Sequence, residues 1–273
     1  MRRITALILA FLAGTGSAMA APDTIEIPFG DLKLKAFLYR PEGNGPFPAV
    51  VALHGCDGLA GTHAPLGRRY RDWGEKLLAA GFVVVFPDSF GSRKLGAQCT
   101  VAERKLRSGR ERVGDAEAAR KWLQAQDYVA SERVSLLGWA NGGVAALWTV
   151  RPHAGAKDDK PDFRSAVALY PGCRRLRDTA WSARAPTLIL VGARDDWTPA
   201  NACEQMVSGA RGRSAQVAIT VYPGAYHDFD HPNLAVQVRT GIVTAIGATR
   251  AHVGTDPAAR ADAFRRVPEW LAR

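Results

Sequence analysis

Gly138-Trp139-Ala140-Asn141-Gly142-Gly143, preceded by the apolar run Val134-Ser135-Leu136-Leu137, decides how this chain folds. A buried strand ends in a sharp turn, glycines permit the tight backbone there, and a helix-like stretch follows. The five-residue pattern Gly-x-Ser-x-Gly uses such a turn to lift a reactive side chain above a sheet. Here the flanking glycines are Gly138 and Gly142, and Ala140 stands in the central place. Alanine has no group that attacks a carbonyl, so the stretch reads as a nucleophile elbow without its nucleophile.

Outward from the elbow, strand and helix signals alternate. Ile25–Phe29 and Lys33–Tyr39 read as strands joined by a turn at Gly30-Asp31, and Pro48–His54 is a nearly continuous apolar run, as a strand buried on both faces requires. Leu66–Ala80 has helical spacing and ends at Gly81, and Phe82–Phe86 is a second buried strand. Arg112–Ala125 reads as a helix with Val113, Ala116, Ala119, Trp122 and Leu123 along one stripe. Ala166–Tyr170, Thr187–Val191 and Val217–Tyr222 are further strands, and Leu234–Arg250 and Pro257–Leu271 are expected to be helical. This alternation predicts an α/β fold, a doubly wound, mostly parallel sheet of about eight strands with helices on both faces. Ligands bind such sheets beyond the carboxyl ends of the strands.

Arg2 and Arg3, the apolar run from Ile4 to Ala13 and Ser17-Ala18-Met19-Ala20 read as a Sec-type signal peptide, with cleavage expected after Ala20. The apolar run is too short to span a membrane. The mature chain, residues 21–273, is expected to be a single domain, periplasmic or secreted, with no membrane partner. The formal net charge of +10 falls to about +8 once Arg2 and Arg3 are removed. The arginines are interleaved with acids except at Arg104-Lys105-Leu106-Arg107-Ser108-Gly109-Arg110, and no aromatic–basic stacking motif accompanies that cluster. These features argue against nucleic acid as a partner. The segment from Arg93 to Arg112 reads as a solvated loop rather than a flap over a site. A monomer is the default, for lack of a coiled-coil or exposed-stripe signal.

Four cysteines in an exported chain imply two disulfides. Cys56 and Cys99 follow successive strands, and Cys173 and Cys203 stand in the same relation further along. Adjacent parallel strands bring each of those pairs together at one end of the sheet, which predicts Cys56–Cys99 and Cys173–Cys203.

Asp195 and Asp196 follow one late strand and His227 follows the last. The order nucleophile position, acid, histidine is that of enzymes that pass a proton from an attacking hydroxyl to an imidazole held by a carboxylate. Spacing between Gly192 and Pro199 favours Asp195 over Asp196 as the acid. The backbone N–H groups of Asn141 and Cys56 are candidate donors to an oxyanion. His54 reads as structural, packing beneath the site. Phe90, Trp139, Trp197 and Tyr226 are candidates for an acyl or aromatic pocket and are equally suited to core packing. His227 and His231 stand four apart, but Pro232 follows and no acidic partner motif appears, so no metal is assigned.

Five pieces in order, His54-Gly55-Cys56-x-Gly58, Phe86-Pro87-Asp88-Ser89-Phe90-Gly91, the Gly138–Gly143 elbow, Gly192-x-x-Asp195-x-x-x-Pro199 and Ala225-Tyr226-His227-Asp228-Phe229, resemble the dienelactone hydrolase family of α/β-hydrolases, in particular its exported bacterial members. The resemblance implies hydrolysis of a small-molecule ester or lactone without a cofactor, with the roles falling on position 140, Asp195 and His227. It departs from the family at position 140, where Ser or Cys is expected. Two readings of Ala140 follow: a hydrolase that has lost its serine, by introduction or recent change, or a natural pseudoenzyme that binds an ester-like molecule without cleaving it.

Overall fold

The computed structural model describes residues 21–152 and 159–273; the segment read above as a signal peptide lies outside the described residues. The chain builds an eight-stranded sheet from β1 (Asp23–Phe29), β2 (Leu32–Tyr39), β3 (Phe47–Leu53), β4 (Val83–Pro87), β5 (Val129–Trp139), β6 (Ala166–Leu169), β7 (Thr187–Gly192) and β8 (Val217–Tyr222). Their spatial order is β1-β2-β4-β3-β5-β6-β7-β8. β1 and β2 form an antiparallel hairpin, β2 pairs antiparallel with β4, and every pairing from β4 to β8 is parallel. The expected mostly parallel, doubly wound sheet is thus present.

Because strand side chains alternate between faces, each central strand feeds two cores. Val51 and Leu136 face one, where α2 (Glu111–Gln124), α3 (Asn141–Thr149) and α5 (Ala200–Gly209) pack. Val50, Ala52 and Leu137 face the other, covered by α1 (Arg68–Ala79) and α6 (Pro257–Leu271). A short helix, α4 (Arg174–Asp178), follows β6. Among the described residues no helix is long and apolar enough to cross a membrane.

Two expectations need correction. The stretch from Leu234 to Arg250 is not helical: it holds β9 (Gln237–Thr240), which pairs antiparallel with β10 (Arg250–Val253). Val236-Gln237-Val238-Arg239-Thr240 alternates with period two, and Gly241 and Gly247 take positive φ (69° and 83°), which ends any helix there. In α2 the buried stripe includes Ala116, Ala119 and Leu123 as expected, but Arg112 is fully buried while Val113 is only partly so.

Candidate active site

The elbow joins β5 to α3 so tightly that side chains are excluded on both sides of position 140. A Cβ on Gly138 would lie 2.3 Å from the Gly142 carbonyl oxygen, and one on Gly142 would lie 1.9 Å from that of Leu53. Between them Ala140 takes φ 47° and ψ −111°. A non-glycine residue held there costs about 1–3 kcal/mol, and such strain persists only where the surroundings impose it. The Ala140 N–H donates to the Leu169 carbonyl at 2.9 Å, fixing the turn to β6.

Asp195, in the loop after β7, is buried and directed inward by three hydrogen bonds. Its Oδ1 accepts from the backbone N–H groups of Trp197 (2.9 Å) and Thr198 (2.8 Å), and its Oδ2 accepts from the Thr198 hydroxyl at 3.0 Å. The same Oδ2 lies 2.7 Å from His227 Nδ1. The carboxylate selects the tautomer with the proton on Nδ1, which leaves Nε2 as the ring nitrogen with a free lone pair. Burial acts to lower the His227 pKa, but the charge and hydrogen bond of Asp195 outweigh it and hold the pKa above its ordinary value. Tyr170 and Trp197 flank the imidazole, with ring centres 4.5 and 4.7 Å away. Asp196 points elsewhere: its carboxylate takes the backbone N–H and Nδ1 of His252 on β10, each at 2.8 Å.

Ala140, Asn141, Cys56 and His227 line one cavity of about 660 Å³. Among the described residues neither the Cys56 nor the Asn141 backbone N–H donates to another group, and both residues line the cavity. Cys56 is disulfide-bonded to Cys99, and Cys173 to Cys203. Cys56, Asp57 and Cys99 bring three ligand-type side chains within 4.8 Å of one another. The disulfide occupies both sulfurs, so this group offers no thiolates to a metal.

Of the four aromatic residues offered for the pocket, Trp197 lines the cavity and the other three do not. Phe90 is buried edge-on against His54, with ring centres 4.6 Å apart. Trp139 is fully buried and donates its indole N–H to Asp230 at 2.8 Å. Tyr226 stacks on His252 at 5.0 Å. The alternation of the elbow strand turns Trp139 to the α1/α6 side, away from the cavity, and Trp148 of α3 lines the cavity instead. The basic segment is exposed at Lys105, Arg107 and Arg110, as a solvated loop is, yet it also borders the cavity. Arg104, Leu106, Arg107 and Arg110 form part of the cavity wall, and Arg175 of α4 lies on the wall too. The Cys56–Cys99 bond anchors this loop, as do the Gln98 N–H donating to the Cys56 carbonyl (2.7 Å) and Arg104 Nε donating to the Gln98 carbonyl (2.8 Å).

Sequence reading gave no role to Thr198, which touches both Asp195 and His227, or to Asp230. Asp230 accepts from Trp73 (2.7 Å), Trp139 (2.8 Å) and the Tyr170 hydroxyl (2.5 Å). Its only sequence signal is a position three residues after His227, among residues that otherwise pack.

A profile of the dienelactone hydrolase family matches residues 34–273. The chain is 24% identical over 230 residues to a probable 2-oxo-3-(5-oxofuran-2-ylidene)propanoate lactonase of Bradyrhizobium sp, covering 77% of this chain and 84% of that one. It is 26% identical over 213 residues to a putative carboxymethylenebutenolidase of Azospirillum brasilense, covering 75% and 86%. In structure it is similar to a putative dienelactone hydrolase from Klebsiella pneumoniae, with a TM-score of 0.69 at 20% identity over 92% of this chain and 98% of that one. It is also similar to Thermogutta terrifontis esterase 2, with a TM-score of 0.65 at 18% identity over 93% and 95%. With the profile covering residues 34–273, nearly the whole of the described chain, the chain belongs to the dienelactone hydrolase family.

Proposed function

We propose that this site is built to hydrolyse a carboxylic ester or lactone through position 140, Asp195 and His227, and that Ala140 leaves the chain inactive or nearly so. One observation carries the reading: Ala140, His227 and the unengaged N–H groups of Cys56 and Asn141 share one cavity, with Asp195 bonded to the imidazole behind it. With serine at position 140, Oγ attacks the carbonyl carbon while His227 Nε2 takes its proton. The two amides hold the oxyanion, and Asp195 stabilises the imidazolium. Collapse expels the alcohol, which takes the proton from His227, and a water repeats the sequence to free the acid. Among the described residues Arg104, Arg107, Arg110 and Arg175 line the cavity and no carboxylate does, which favours an ester bearing negative charge. The two disulfides support an oxidising, exported location for the mature chain.

Short-chain aryl esters and lactones are to be assayed with this chain beside Ala140→Ser. Losing the triad serine costs on the order of 10⁶ in turnover, so Ala140→Ser is expected to raise the rate by at least about 10³. His227→Ala in that background then removes the gain. The alanine itself favours a second reading, a binding protein using the same cavity. Saturable binding of intact esters, with no turnover even after Ala140→Ser, would establish it.

A further inference from the structure

Arg112, near the start of α2, is fully buried, an unusual place for a cation because a charge out of water is costly unless paired. Among the described residues it has no ion pair at contact distance: Asp115, one turn on, gives both carboxylate oxygens to Arg93 at 2.6 and 3.0 Å. Its partners are neutral. Nη1 donates to Asn141 Oδ1 at 2.6 Å, Nε donates to Ser89 Oγ at 3.4 Å, and the guanidinium carbon lies 5.2 Å from the centre of the Phe90 ring. Nη2 has no partner. Burial pulls the pKa down to about 10, which leaves the group charged at neutral pH. As a device for stability this is a poor choice, since an apolar side chain of similar volume would fill the space without the desolvation cost.

The network continues past Ser89. The Ser89 N–H donates to His54 Nε2 at 3.2 Å, so the ring hydrogen sits on Nδ1, which donates to the Gly55 carbonyl at 2.8 Å. That carbonyl belongs to the same peptide group as the Cys56 N–H. Burial, reinforced by the Arg112 charge, holds the His54 pKa well below its ordinary value and keeps the ring in the neutral form this pattern needs. One buried guanidinium is therefore linked to both cavity-lining residues whose backbone N–H groups are unengaged, to Asn141 through its side chain and to Cys56 through Ser89, His54 and the Gly55 carbonyl.

We propose that Arg112 is a positioning residue for the anion-binding amides, acting on Asn141 directly and on the Gly55–Cys56 peptide through Ser89 and His54. Charge-assisted hydrogen bonds are stronger than neutral ones, and a peptide whose carbonyl accepts a hydrogen bond is polarised toward a better N–H donor. The inference rests on the hydrolase reading for what those amides hold; the network exists without it.

Arg112→Met and Arg112→Lys are to be made in this chain and in Ala140→Ser. Thermal unfolding follows the fold, two-dimensional amide NMR follows the Asn141 and Cys56 N–H groups, and aryl ester kinetics follow function. Arg112→Met is expected to shift both amide resonances and, in Ala140→Ser, to lower kcat about 10- to 100-fold while KM moves less than about twofold. Arg112→Lys recovers part of kcat and, should Arg112→Met fail to fold, carries the same comparison. Unmoved Asn141 and Cys56 resonances in a variant that melts like its parent would overturn the proposal, as would a loss confined to KM. If Ala140→Ser is itself inactive, the hydrolase reading falls, and the resonances alone decide the role of Arg112.

Discussion

Removing the Asp230 carboxylate tests how the floor of the site is held. This side chain is fully buried and accepts from two indole N–H groups, Trp73 and Trp139, and from the Tyr170 hydroxyl, with Arg69 Nε 3.7 Å away. Asp230→Ala leaves both indoles without an acceptor, and an indole N–H cannot rotate to find another. Each buried donor left unsatisfied costs about 1–3 kcal/mol, and breaking a buried charged cluster costs about 3–5 kcal/mol. These figures describe the same loss from two sides, so the expected destabilisation is about 3–5 kcal/mol rather than their sum. In a domain of this size that lowers Tm by roughly 10–15 °C. Asp230→Asn keeps one acceptor oxygen, and the Tyr170 hydroxyl can turn to accept from the amide, so its cost is expected to be about 1–3 kcal/mol. Urea unfolding with a common m-value gives both differences. An Asp230→Ala protein within about 1 kcal/mol of the parent would refute the reasoning, because three buried donors would then be finding partners elsewhere.

Two further outcomes follow from the site. His227 has a pKa raised above 6.5, so in Ala140→Ser the hydrolysis rate should fall as pH drops through that raised value, where the base becomes protonated. Stability linked to the same group runs the opposite way: it is fully present below 6.5 and lost as pH rises through the folded-state pKa, which paired pH–rate and pH–melting curves will show. The disulfides close separations of 43 and 30 residues, and in the chain-entropy model replacing either pair with serine costs about 3.5–4 kcal/mol. Melting should therefore fall by similar amounts for the two pairs, whereas only loss of Cys56–Cys99, which anchors the cavity wall, should also weaken ester binding.

What the sequence disclosed depended on how strongly burial marks a residue type. β4 and β7 are buried throughout, β3 is buried from Ala49 to Leu53, and all three read as apolar runs, while Gly138 and Gly142 of the elbow are required by contacts under 2.5 Å. The two cysteine pairings followed from strand order, which constrains loop ends at one edge of the sheet. The stretch from Leu234 to Arg250 misled because its apolar content suits a helix as well as a strand, and its hairpin is set by cross-strand pairing that no local window contains. Trp139 and Phe90 were ambiguous because an aromatic ring suits a pocket wall and a core equally. Arg112 and Asp230 were illegible for the opposite reason. A charge on a helix or loop is nearly always solvated, and only the assembled fold reveals that these two are enclosed.

The backbone at position 140 is held by its neighbours. Gly138 and Gly142 close the turn from either side and Leu169 anchors the amide, so the positive φ is already imposed whatever side chain stands there. A serine, cysteine or alanine at that place meets the same torsional demand. Reactivity and foldability are thereby inherited separately. On the function proposed above, a lineage carrying this turn can surrender its reaction in one residue exchange and regain it in another.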